Sequence, residues 1–87
     1  MYHLLIRQKV ADYDRWIAFH QSALTSRQVA GLQERNIYRN LSDPNEVFLL
    51  FAFHDLMKAE EYVARLDYPP HLEEAGVVDR PSSWFLT

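Results

Sequence analysis

The chain has 87 residues, a formal net charge of −3, a pI near 5.7 and no cysteine. Those values exclude disulfide-knit scaffolds, thiolate metal sites and cysteine nucleophiles, and the nine Lys and Arg residues are spread along the chain and build no basic field for phosphate. Nucleic acid is therefore not an expected partner, and with no run near the ~20 apolar residues that span a bilayer, neither is a membrane.

A hydrophobic content of 48% with only two glycines argues for a packed core rather than disorder. The expectation is one domain, 1–87, small enough that assembly must add to its stability. Residues 1–10 alternate and carry Arg7 and Lys9, unlike a signal peptide, so a reducing cytoplasm is the expected compartment.

Tyr2 to Val10 reads as a strand, with Leu4, Ile6 and Val10 on one face and His3, Leu5, Arg7 and Lys9 on the other. Asp12 is placed to cap a helix running through Ala30, with Asp14 in its first turn and Gly31 as its C-terminal stop. Tyr13, Trp16, Ile17, His20 and Leu24 form its apolar stripe, widened by Phe19, Ala23 and Ala30. Leu32 to Leu41 alternates weakly, Gln33 and Arg35 against Glu34 and Asn36, and its charge suits an edge strand. Ser42-Asp43-Pro44-Asn45 predicts a tight turn, hence a hairpin. Val47 to Phe53 then runs without a polar residue, and such a strand needs both of its faces covered.

Asp55 opens a second helix to Leu66, with Leu56, Ala59, Tyr62, Val63 and Leu66 on one side. Tyr68-Pro69-Pro70 breaks it, His71 to Ala75 can make one more turn ended by Gly76, and Pro81 precedes a last strand, Ser82 to Thr87. The βαββαβ order predicts an α+β, ferredoxin-like fold: a four-stranded antiparallel sheet, two helices on one face, strands one and three central. Two helices cover one face only, so the open face is expected to dock on a second copy of the chain as a homodimer.

Val10-Ala11-Asp12-Tyr13-Asp14-Arg15-Trp16 leading into helix one, Gly31 ending it, Tyr38-Arg39 before Asp43-Pro44-Asn45-Glu46-Val47, and Ala75-Gly76-Val77 before the last strand carry a family likeness. Over nearly its whole length the chain resembles the dimeric α+β barrel superfamily and, within it, the small antibiotic-biosynthesis-monooxygenase-like proteins. The resemblance implies a homodimeric α+β barrel with a pocket in each subunit between helices and sheet. Its members include cofactor-independent oxygenases of aromatic polyketides, haem-degrading enzymes and lactone isomerases. The His, Asn and Trp arrangement of the haem-degrading branch is not matched, since Trp16 begins helix one and the first strand has no Asn.

Candidate chemistry centres on His20, inside the apolar stripe one turn after Trp16. It is either a core histidine bonded to a backbone carbonyl or to Tyr62, or a catalytic pocket base lined by Tyr13, Trp16 and Phe19. Arg27, two turns on, would hold an anionic substrate at the pocket mouth, or else reach solvent or a carboxylate. Tyr13, Trp16, Phe19, Arg27 and Tyr62 are thus the candidate substrate-binding set, suited to a small aromatic ligand. His3 and His54 should come to the same end of the sheet; with His71 they offer a weak metal alternative that fits no metal-binding spacing. Glu73 and Glu74 make an acidic patch expected to face water. With no phosphate loop, dinucleotide fingerprint, HExxH or nucleophile elbow, no cofactor is expected. These residues point to a homodimeric small-molecule-binding protein acting as a cofactor-independent monooxygenase or isomerase on an aromatic or polyketide-like substrate; the alternative is a non-catalytic structural or ligand-sensing dimer. A cavity of a few hundred Å³ beside His20 or Arg27 would favour the first, a filled interior the second.

Overall fold

Alternation in residues 2–9 gives β1 (Tyr2–Lys9), the start of a computed structural model that describes residues 1–66 and 69–87. Helices α1 (Tyr13–Ser22) and α2 (Leu24–Val29) follow, then β2 (Gln33–Arg39), β3 (Glu46–Phe53), α3 (Leu56–Leu66), α4 (Pro69–Ala75) and β4 (Ser82–Leu86). The strands form one antiparallel sheet in the order β2-β3-β1-β4, so β1 and β3 are the central pair. This is the predicted ferredoxin-like arrangement.

Leu4 pairs with Phe51 and Ile6 with Leu49, and these residues, with Val47 and Phe53, lie almost wholly buried beneath Trp16, Ala59, Leu66 and Ala75. Burying side chains of this size contributes roughly 1.5–3 kcal/mol each, which makes the layer between sheet and helices the main source of stability. Gln8 continues the Leu4 and Ile6 row inward and is 6% exposed. On the opposite face the register lines up Leu5 with Leu50 and Trp84, and Phe48 with Tyr38. That face has no helix against it among the described residues: Tyr38, Trp84 and Leu86 are 52%, 47% and 42% exposed.

Turn chemistry explains the hairpin between β2 and β3. The Asp43 carboxylate accepts from the Asn45 amide at 3.1 Å, and Asn45 Oδ1 accepts from the Tyr13 amide at 3.1 Å, tying the turn to the start of α1. Arg7 and Glu46 form an ion pair at 2.6 Å across β1 and β3, and Lys9 pairs with Asp43. The Asn40 amide and then the Arg7 guanidinium hold the Glu46 carboxyl below its usual range.

Two differences from the predicted elements matter for the site. First, the helix expected from Asp12 to Ala30 is capped by Asp12 as foreseen but breaks at Ala23, whose φ is −95° and ψ 16°. The Phe19 and His20 carbonyls at the end of α1 share the Ala23 amide at 3.2 Å, and each accepts a second donor, Ser22 Oγ at 2.7 Å for Phe19 and the Arg27 guanidinium at 2.7 Å for His20. The break thus brings an arginine under the end of the preceding helix. Second, a β-bulge in β2 lies between Glu34, opposite Phe51, and Asn36, opposite Leu50. Strict alternation back from Ile37 would turn Arg35 toward the helices and keep Glu34 and Asn36 on one face, as predicted. The bulge instead sends Glu34 to the helical side. The predicted single turn after α3 is the two-turn α4, ended by Gly76 at φ +73°. The break expected at Tyr68 and the side chain of His71 lie outside the described residues.

Candidate functional site

α1 carries Trp16 and His20 one turn apart on its buried face, where their rings stack at 4.8 Å with planes 16° apart. Below them the Trp16 indole N–H donates to Gln8 Oε1 at 3.1 Å, a buried pair that orients the indole. His20 meets two charged partners. Its Nε2 lies 2.5 Å from Glu34 Oε1, and its Nδ1 lies 3.2 Å from Arg27 Nη1. A guanidinium has donors only, so Nδ1 must accept, the ring proton sits on Nε2, and the Glu34 carboxylate receives it.

Burial pulls the His20 pKa below its ordinary 6.5; the Glu34 hydrogen bond opposes this and the Arg27 charge reinforces it. Arg27 is only 4% exposed, and its Nε has no hydrogen-bond partner among the described residues. Tyr62 on α3 stands close by, and burial raises its phenol pKa more than the Arg27 charge lowers it. The four side chains therefore come from four elements: His20 from α1, Arg27 from α2, Glu34 from β2 and Tyr62 from α3.

Two hollows border His20 and Arg27, and a third, of about 330 Å³, touches only Tyr62 of the cluster, between α2 and α3. Inside, among Gln8, Trp16, His20, Arg27 and Tyr62, is a cavity of about 30 Å³, room for about one water molecule. Outside, a groove of about 270 Å³ has His20, Arg27 and Glu34 as its polar side and Ile17, Leu24 and Ile37 as its apolar walls. His20 and Arg27 line both.

Of the predicted substrate-binding set, Trp16, Phe19, Arg27 and Tyr62 border the inner cavity with His20. Tyr13 does not; it tilts against Trp16 at 5.9 Å and lies under the Arg39 guanidinium at 3.7 Å. His20 takes neither of the core partners expected for it, Tyr62 or a backbone carbonyl, and Arg27 points inward rather than to solvent. Glu34 and Gln8 are the residues that sequence reasoning missed. A polar residue in phase with Leu4 and Ile6 was the available signal for Gln8, whereas Glu34 depends on the bulge. His3 pairs with Ala52 and His54 follows Phe53 at the same sheet end, but no group of three or more His, Asp and Glu able to hold a metal occurs among the described residues. Nor is any helix there long and apolar enough to cross a membrane.

No family model and no curated protein matches the sequence. Solved structures do match the fold. An antibiotic biosynthesis monooxygenase, so described, from Nitrosomonas europaea superposes with a TM-score of 0.60 at 15% identity, over 100% of this chain and 97% of its own. A second protein of that description, from Bordetella bronchiseptica, gives 0.66 at 11% identity over 99% and 94%. SnoaB, described as a cofactor-independent oxygenase from Streptomyces nogalater, gives 0.64 at 14% identity over 99% and 90%. At these identities the likeness is one of fold, and this chain has the fold of the antibiotic-biosynthesis-monooxygenase-like proteins.

Proposed function

We propose that the protein is a homodimer that binds a small aromatic or polyketide-like molecule in the groove beside His20 and acts on it as a cofactor-independent monooxygenase. The observation that carries this reading is the meeting of an apolar-walled groove of about 270 Å³ with a buried histidine, a buried arginine and a carboxylate. Fold likeness to an oxygenase described as cofactor-independent supports it. His20 serves as the base that removes a proton from a phenol or enol, and the resulting electron-rich anion reacts with molecular oxygen directly. Arg27 holds the anion and Ile17, Leu24 and Ile37 wall the groove, while Trp16, Phe19 and Tyr62 line the inner cavity on the far side of His20 and Arg27, and Tyr13 packs against Trp16.

His20→Ala is expected to abolish oxygen consumption with an aromatic substrate while the folded protein keeps a cooperative melting transition. Unchanged turnover in that variant would end the assignment of His20 as base. A non-catalytic, ligand-sensing dimer is the second reading, favoured by the inner cavity of only about 30 Å³. It predicts aromatic ligands that raise the melting temperature without consuming oxygen.

A further inference from the structure

We infer that the groove between α2 and α3 is a second ligand site, one that takes a small organic monocarboxylate. At about 330 Å³ it is larger than the groove of about 270 Å³ beside His20, and it falls within the size range of small-molecule pockets. The two grooves share no lining residue, so what binds here is independent of the role of His20. Spacing along α3 sets the polar side. Lys58, Glu61, Tyr62 and Arg65 recur at intervals of three and four and therefore line one helix face, with Lys58 and Arg65 about 10 Å apart along the axis. Neither cation has a carboxylate partner among the described residues, although Glu61 lies one turn from each.

Charge and surface together select the ligand. Two cations against one carboxylate leave the groove with a single net positive charge, in a chain whose net charge is −3. A monoanion matches that charge, whereas a dianion such as phosphate brings its excess charge up against Glu61. The Arg65 guanidinium offers the planar pair of donors that a carboxylate fits, and Lys58 adds a second cation along the groove. From α2, Thr25 and Ser26 supply hydroxyl donors, while Val29, an apolar side chain left 72% exposed, and Ala30 supply a surface that a hydrocarbon chain can cover. Tyr62 is the wall between this groove and the inner cavity, which it lines together with His20 and Arg27. Burial raises its phenol pKa, so it stays a neutral donor there. A bound carboxylate is thus kept apart from the His20 cluster by one side chain.

Titration of the full chain with millimolar hexanoate in low-salt buffer, followed by ¹H–¹⁵N NMR, tests the assignment. Saturable shifts are expected at the amides of Ser26, Val29, Lys58 and Arg65, with the Tyr62 ring signals moving alongside. Hexanamide, of similar shape but uncharged, is expected to bind about tenfold more weakly. Lys58→Gln combined with Arg65→Gln, two exposed positions, is expected to weaken hexanoate about tenfold, and Glu61→Gln to tighten it about twofold. Arg15→Gln combined with Arg35→Gln removes the same charge from exposed positions away from the groove and is expected to leave the affinity unchanged. Equal weakening in the two double variants would mean attraction by net charge alone and overturns the site. Shifts centred on Ile17, Leu24 and Ile37 would put the acid beside His20 and also overturn it, as would a titration that does not saturate. Equal affinity for hexanamide, or tighter binding of inorganic phosphate than of hexanoate, overturns the monocarboxylate assignment.

Discussion

At His20, burial and a neighbouring guanidinium work against a carboxylate, and the native ring binds its proton less readily than it does in the unfolded chain. Below pH of about 6.5 the unfolded chain takes up a proton that the native state resists. Stability is therefore lost on acidification from that pH down to the lower native pKa, at up to about 1.4 kcal/mol per pH unit for the one proton. His20→Gln is expected to remove this contribution, so urea unfolding at pH 7.5 and 5.5 should show a smaller difference in the variant than in the wild type. An equal difference would mean that the native ring titrates normally. The residues of this site were unequally legible. His20 and Arg27 stood out as polar groups on or near an apolar helical stripe, but Glu34, the partner of His20, is 14 residues from it and belongs to another element. Alternation alone assigned that carboxylate to the other face.

At the scale of elements, β2 was found as a strand but its bulge reversed the face of Glu34, whereas β1, β3 and the second helix followed from periodicity because side-chain spacing and burial agree there. The first helix did not, because nothing local marks its break: Ala23 is a strong helix former, and neither Gly nor Pro is near. At the break the Ala23 amide is shared between the Phe19 and His20 carbonyls, and side chains of the same segment, Ser22 and Arg27, donate to those carbonyls as well. The second break, after α2, was legible, since Gly31 holds φ at +73° and L-residues resist that region. An added Cβ there meets no atom within 4 Å, so Gly31→Ala should cost only the backbone strain, about 1–2 kcal/mol, measured as a shift in urea midpoint at constant slope. A much larger loss would mean that the α2-to-β2 connection shifts to accommodate the methyl group.

For the whole molecule, the apolar sequence of β3 predicts cover on two sides, and the helices supply it on one. Phe48 and Leu50 on the other side stay only half-buried in a single chain, beside exposed Tyr38 and Trp84. We expect wild-type protein at micromolar concentration to sediment at twice the 10.3 kDa chain mass, and Leu50→Glu, which sets a charge in the middle of this face, to sediment at 10.3 kDa with its helical content retained. A wild type of single-chain mass would remove the homodimer. The two tryptophans lend that experiment an intrinsic optical signal. Trp16 is 2% exposed in the interior, while Trp84 is 47% exposed on the open sheet. Emission from the first should report unfolding and, if two chains dock through this face, emission from the second should report their dissociation, so a red shift on dilution that disappears in Trp84→Phe would trace the expected monomer–dimer equilibrium without any attached dye.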